Sequence, residues 1–128
     1  MAKPVLFDTD VMVDFLRGHP KAIALLHSCS SEIILSSIVA AELYAGVKDD
    51  EDLRRLDDLL SLCRVLPVSP GLARMGGLYK RHYGKSHGIG LADAIVAATA
   101  EVENADLKTL NVNHYPMIKG LRSPYTKT

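Results

Sequence analysis

Short apolar runs of strand length alternate along the chain with longer segments whose hydrophobic positions recur at helical spacing. The strand-length runs occupy residues 5–7, 33–35, 65–68 and 106–110, and helix-like sequence follows them. Strands that alternate with helices in this way are typical of a parallel sheet that is covered on both faces. The pattern therefore predicts an α/β fold with a central parallel sheet.

Six segments carry the helical pattern. Gly18 ends the first predicted helix and Pro20 begins the second, while Ser37 is the predicted N-cap of the third. The last segment is apolar almost throughout, so we expect it to be buried. The predicted helices cover residues 11–18, 20–27, 37–47, 50–62, 71–82 and 91–102.

Four acidic or amide side chains stand where these apolar segments end or turn inward. Asp8 follows the first strand and Asn111 follows the last, while Glu42 and Asp93 lie on predicted helices. Helical spacing puts Glu42 on a stripe with Ile38, Ala41 and Ala45, and Asp93 on a stripe with Val96, Ala97 and Ala100. Both carboxylates are therefore expected to face the core side of their helices.

Such a group of carboxylates predicts a binding site for a divalent cation. Parallel sheets bind ligands in the crevice outside the carboxyl ends of their strands, where Asp8 is expected to point. Desolvated carboxylates raise one another's pKa values unless a cation compensates their charge. Hard oxygen ligands suit Mg²⁺ or Mn²⁺ better than zinc. The first hypothesis is therefore a metal-dependent hydrolase of phosphate esters.

Each acidic residue also has a purely structural interpretation. Asp8 or Asp10 could cap the following helix, Asp93 could favour a helix dipole from the first turn, and Glu42 could pair with an arginine. Convergence of all three carboxylates on one crevice is what favours the metal site over these separate explanations.

Composition limits the class of protein. The 128 residues suffice for one domain, residues 1–128, and the formal net charge is zero, so any contact with nucleic acid must rely on a local patch or a bound cation. A membrane span and a secretory signal are not expected, which predicts a cytoplasmic protein. Cys29 and Cys63 lack metal-ligand spacing and are interpreted as cytosolic thiols, with a disulfide as the alternative.

Four segments in this order resemble the four motifs of PIN-domain ribonucleases, and among these most closely the VapC toxins of prokaryotic toxin–antitoxin pairs. They are FDTDV at 7–11, LSSIVAAEL at 35–43, LADAIVA at 91–97 and TLNVNHYP at 109–116. The surroundings of Arg17-Gly18 and Gly120-Leu121 also fit. The resemblance implies a three-layer α/β/α sandwich, an endoribonuclease that depends on Mg²⁺ or Mn²⁺, a homodimer, and neutralisation by a cognate VapB-type antitoxin.

The same resemblance implies roles for individual residues. Asp8, Glu42 and Asp93 fall on the acidic metal-site positions, and Asn111 occupies the fourth catalytic position, which is often aspartate. The amide keeps an oxygen ligand but removes one charge. The polar positions that support the site are Thr9 and Ser36.

Metal-activated water is the expected nucleophile. The sequence has no evident Ser-His-Asp or Cys-His arrangement, so a covalent intermediate is not expected. His114, close to the fourth motif, is interpreted as a structural or surface histidine.

The densest basic stretch, residues 80–87, is the predicted RNA contact. It combines basic and aromatic side chains, which suit phosphate attraction and base stacking on single-stranded RNA. The alternative is a solvated helix end, where cations favour the dipole. The individual candidates are Lys80, Arg81 and Lys85, with Arg17 as a separate one.

Two other functions are compatible with parts of the sequence. Residues 5–11 also resemble the first motif of haloacid-dehalogenase-type phosphatases, in which Asp8 would be the nucleophile and Asp10 the acid/base. That family requires a later acidic pair, whereas Asp93 has no close acidic neighbour in the sequence. A catalytically idle PIN-like module that only binds a partner is the other alternative; Asn111 leaves it open, and the three carboxylates argue against it.

Overall fold

The computed structural model describes residues 3–127 and contains the predicted parallel sheet. Four strands pair in the order β3-β2-β1-β4, and every pairing is parallel. β1 is at the centre beside β2, and β4 forms one edge. The strands are β1 Val5–Phe7, β2 Ile33–Ser36, β3 Arg64–Leu66 and β4 Asp106–Lys108.

Helices cover the sheet and complete a three-layer α/β/α sandwich. A short 3-10 helix, Val112–His114, follows β4. The six α-helices are α1 Thr9–Leu16, α2 Pro20–Ser28, α3 Ser37–Ala45, α4 Asp50–Ser61, α5 Pro70–His87 and α6 Leu91–Val102.

Helix α5 differs most from its prediction, because it continues through Gly84 to His87. Glycine inside a helix costs only about 1 kcal/mol relative to alanine, so it does not force an end. The side chain of Lys80 packs over Gly84. The helix ends instead at Gly88, whose φ of 66° lies in the left-handed region that glycine adopts without strain.

The apolar core lies on both faces of the central strands. All three residues of β1 are buried, as predicted from the apolar run. Every residue of α6 from Ala94 to Ala100 is buried too, which confirms the expectation for that helix. Helices α5 and α6 approach closely at Gly76, which faces Ile95.

The start and the buried face of α3 differ from the prediction. Ser36 rather than Ser37 is the N-cap, since its Oγ accepts from the backbone N–H of Ile38 at 3.3 Å. The buried face consists of Val39, Ala40 and Leu43. Because nearly every side chain of α3 is apolar, spacing alone does not define which face is buried.

Two smaller observations concern the helices and the cysteines. No helix within residues 3–127 has the length and apolar character needed to cross a membrane. Cys29 and Cys63 are both free, so the disulfide alternative is wrong for this structure.

Candidate active site

Asp8 is a buried carboxylate at the junction of β1 and α1. It directly follows β1 and is the N-cap of α1, with Oδ1 accepting from the N–H of Thr9 at 2.8 Å. Its Oδ2 accepts two hydroxyl groups, Thr109 Oγ1 at 2.9 Å and the phenol of Tyr115 at 2.7 Å. Only 3% of the residue is exposed. Three hydrogen bonds therefore fix the orientation of this carboxylate.

The environment of Asp8 favours its protonated form. The pKa of Asp8 is raised to about 6: burial is the largest cause, the charges of Asp10 and Asp93 add to it, and the hydrogen bonds from Tyr115 and Thr109 act in the opposite direction. Within residues 3–127, Asp8 forms no ion pair with a lysine or arginine. The site thus accumulates negative charge that no lysine or arginine of the described residues neutralises, and its one basic neighbour is His114 beside Asp93.

Asp10 belongs to the same group of charges. Its Oδ2 accepts from the N–H of Leu110 at 2.9 Å, and its Oδ1 accepts from the N–H of Val11 at 2.7 Å. Burial raises its pKa, with contributions from the charges of Asp93 and Asp14. From the sequence, Asp10 is interpreted only as a helix cap or as the acid/base of a phosphatase. Its position two residues after Asp8 was the available signal.

Asp93 reaches the site from the first turn of α6. Its Oδ2 lies 3.0 Å from Nδ1 of His114, and its charge acts on both Asp8 and Asp10. His114, interpreted from the sequence as a structural or surface histidine, is therefore a neighbour of the acidic residues. The chain after β4 turns back through the 3-10 helix, and this turn brings His114 to α6.

Glu42 lies at the exposed edge of the site, so the prediction that it faces the core is wrong. Its side chain is exposed, as are Ala41 and Ala45 from the predicted stripe. The Oε1 atom accepts a hydrogen bond from Thr9 Oγ1 at 2.8 Å. Thr9 directly follows Asp8, so this hydrogen bond connects Glu42 on α3 with the start of α1 at the site.

Ser36 and Asn111, the remaining predicted site residues, take part in hydrogen bonds between a backbone N–H and a hydroxyl oxygen. Ser36 is buried, and its hydroxyl oxygen accepts the hydrogen bond that caps α3. Asn111 is exposed, and its N–H donates to Thr109 Oγ1 at 3.1 Å. Its side chain does not cap the 3-10 helix that it precedes. Asn111 therefore borders the site through Thr109.

The predicted RNA contacts separate into two groups. Lys80 donates from Nζ to the carbonyl oxygen of Ile89 at 2.8 Å, so it stabilises the connection between α5 and α6. Arg81 and Lys85 are exposed on α5. Arg17 is exposed at the end of α1 and lines a cleft that also includes Glu42. Of these candidates, Arg17 has the clearest spatial relation to an acidic site residue.

The donor set fits a hydrated divalent cation better than a closed metal cage. In residues 3–127, no three His, Cys, Asp or Glu side chains form a ready ligand cluster. Mg²⁺ commonly keeps several waters and uses only one or two carboxylates. Asp8 and Asp93 supply hard oxygens in a region of excess negative charge, with Glu42 at its exposed edge.

The family model for the PIN domain matches residues 5–115 of this chain. Two curated relatives from Mycobacterium tuberculosis give alignments 124 residues long that cover 94% of this chain. Ribonuclease VapC19 is 44% identical, with 98% of its length covered, and ribonuclease VapC10 is 39% identical, with 92% covered. One family thus accounts for most of the chain, which removes the haloacid-dehalogenase alternative.

Solved structures with the same fold come from toxin–antitoxin complexes. A complex from Klebsiella pneumoniae superposes with a TM-score of 0.82 at 26% identity, covering 94% of this chain and 98% of that one. VapBC2 from Rickettsia felis, bound to a promoter DNA fragment, gives a TM-score of 0.77 at 28% identity, covering 92% and 95%. The chain therefore belongs to the PIN-domain family, and within it to the VapC-type ribonucleases.

Proposed function

We propose that this protein is a divalent-metal-dependent endoribonuclease that acts as the toxin of a VapBC-type toxin–antitoxin pair. The observation that carries the proposal is the group of carboxylates around Asp8, which has no lysine or arginine partner among the described residues; burial and the charges of Asp10 and Asp93 raise the pKa of Asp8 to about 6. A bound cation would relieve this repulsion. The similarity to ribonucleases VapC19 and VapC10 supports RNA as the substrate.

Asp8, Glu42 and Asp93 are the residues that would hold Mg²⁺ or Mn²⁺, with Asn111 beside them. Such an ion lowers the pKa of its water and neutralises charge on the phosphodiester oxygens. The protein's own part is orientation. Thr109 and Tyr115 fix one oxygen of Asp8, and Thr9 fixes Glu42, so that the carboxylates are in place before the cation binds.

The proposal predicts cleavage that depends on added metal. Purified protein should hydrolyse RNA with Mg²⁺ or Mn²⁺, lose activity in EDTA, and recover it when the metal is restored. Cleavage that persists in EDTA would exclude the metal-dependent mechanism. A protein that binds the cation and its partner yet cleaves no RNA would instead be the idle binding module.

RNA is proposed to follow the exposed cations Arg81 and Lys85 of α5 and Arg17 of α1. Replacing Arg81 and Lys85 with alanine should weaken RNA binding and reduce its salt dependence, because each lost phosphate contact lowers the log–log salt slope by roughly 0.7 for single strands. Lys80→Ala is the control, since its Nζ is bonded to Ile89. An unchanged slope in the double variant would locate the RNA path elsewhere.

The proposed partners follow from the same family. A VapB-type antitoxin is expected to neutralise the activity, and the toxin itself is expected to form a homodimer. We place both in the cytoplasm, where RNA substrates are available. Light scattering of the purified protein measures the dimer, and loss of cleavage on adding the cognate antitoxin measures neutralisation. A monomeric mass would contradict the first expectation, and undiminished cleavage the second.

A further inference from the structure

Two residues that are adjacent in sequence contact two acidic residues from different parts of the fold. Tyr115 donates its phenol hydrogen to Oδ2 of Asp8 at 2.7 Å, across 107 positions of sequence. His114 places Nδ1 3.0 Å from Oδ2 of Asp93 on α6. One turn of backbone after β4 therefore contacts both the carboxylate at the end of β1 and the carboxylate at the start of α6.

The Tyr115 contact is fully enclosed. Tyr115 is 1% exposed and belongs to the hydrophobic core, so its ring has little freedom to move. A buried phenol needs a hydrogen-bond partner, and here Asp8 provides it. A second hydroxyl group, that of Thr109, donates to the same Asp8 oxygen. Thr109 also lies in the segment that follows β4. The position of Oδ2 is consequently determined by this segment.

The backbone of the segment is itself held in place. The N–H of Tyr115 donates to the carbonyl oxygen of Val112 at 3.1 Å, and the N–H of His114 donates to that of Asn111 at 2.9 Å. These bonds form the 3-10 turn, which fixes the two side chains relative to one another. Because each side chain contacts one carboxylate, the turn also fixes Asp8 relative to Asp93.

We propose that His114 and Tyr115 act together as positioning residues that set the separation and orientation of Asp8 and Asp93 for the cation. The inference rests on the proposed metal-dependent function. Neither residue is assigned a step in bond cleavage. Their contribution is to keep two mutually repelling carboxylates in one arrangement when no cation is present. Residues that orient metal ligands in this way typically change metal affinity or activity 10- to 100-fold when they are replaced.

Tyr115→Phe is the first test, because it removes only the hydroxyl group. We expect the affinity for Mn²⁺ to fall about 10- to 100-fold. The electron paramagnetic resonance signal of free Mn²⁺ measures this affinity. With the RNA concentration varied at a fixed, limiting Mn²⁺ concentration, kcat should fall while the KM for RNA changes little. His114→Ala should weaken Mn²⁺ binding in the same direction.

Tyr125→Phe is the matched control. Its phenol also donates to an aspartate at 2.7 Å, namely Asp14 on α1, but that carboxylate is paired with Lys127 rather than with the acidic site residues. Removing this hydroxyl should affect thermal stability and leave Mn²⁺ affinity at the wild-type value. A merely structural role for Tyr115 would give the same result as this control.

The outcomes separate the inference from the function on which it rests. If wild-type protein binds Mn²⁺ and cleaves RNA, wild-type Mn²⁺ affinity in either variant overturns the positioning role. If wild-type protein itself neither binds Mn²⁺ nor requires it, the proposed function fails instead. Circular dichroism checks folding, and should Tyr115→Phe not fold, His114→Ala decides the question, since His114 is only half-buried.

Discussion

At the residue scale, the site is defined by what holds each carboxylate rather than by the carboxylates alone. The sequence indicated Asp8, Glu42 and Asp93 from their positions beside apolar segments. Tyr115 could not be identified as a partner of Asp8, because the contact joins residues 107 positions apart and an aromatic residue after a strand usually fills the core. The exposed position of Glu42 was missed because α3 is apolar on all sides.

The pKa of Asp8 predicts how stability of the metal-free protein depends on pH. The folded-state pKa of about 6 exceeds the ordinary 3.8, so the folded protein binds the proton more tightly. This contribution to stability is complete below about pH 4 and is lost as pH rises through about 6. The loss is on the order of 3 kcal/mol, since a tenfold change in proton affinity corresponds to about 1.4 kcal/mol.

Asp8→Asn should therefore remove this part of the pH dependence. Urea unfolding in EDTA between pH 4 and pH 8 measures it, with Asp58→Asn on the exposed face of α4 as the control. We expect the control to follow wild type and Asp8→Asn to lose less stability as pH rises. Parallel curves for all three proteins would show that Asp8 is not the group that titrates.

At the element scale, the pattern of strands and helices was predictable, whereas their ends and contacts were less so. β1 and α6 match their predicted limits because β1 is apolar throughout and α6 almost so, and local composition largely determines them. The end of α5 was missed because Gly84 resembles a break, although Lys80 covers it. The one-residue error at the start of α3 arose because Ser36 and Ser37 are equally suitable caps in sequence.

The packing of α5 on α6 gives a prediction with an internal control. A Cβ at Gly76 would lie 2.7 Å from Cγ1 of Ile95 and 3.1 Å from its Cα, so the helices would have to separate. Gly76→Ala should cost about 1–3 kcal/mol of unfolding free energy. A Cβ at Gly77 would meet open space, and Gly77→Ala should gain about 0.5–1 kcal/mol from helix propensity. Equal denaturation midpoints for the two variants would contradict this packing.

At the scale of the whole molecule, the site exists only when distant segments meet. The strand order brings four side chains together. They are Asp8 directly after β1, Glu42 from α3, Asp93 from α6 and Tyr115 from the segment after β4. The C-terminal segment also returns to α1, where Tyr125 and Lys127 bond to the buried Asp14. With a net charge of zero, the molecule has no overall attraction for RNA, so a cation at the acidic group is central to its proposed activity.

The proposed function requires that Asp8 and Asp93 belong to a group of like charges that binds a cation. Asp93→Asn preserves size and relieves repulsion, so without metal it should melt at or above the wild-type temperature while losing cleavage. Mn²⁺ should raise the melting temperature of wild type much more than that of the variant, because binding at 100 times the Kd stabilises the folded state by about 2.7 kcal/mol.

Melting curves of wild type and Asp93→Asn, each in EDTA and in Mn²⁺, therefore decide whether Asp93 binds the metal. The expected result is a clear Mn²⁺-induced increase for wild type and little or none for a variant that is equally stable in EDTA. A variant that melts early in EDTA, or that gains as much from Mn²⁺ as wild type does, would show that Asp93 stabilises the fold instead of binding the metal.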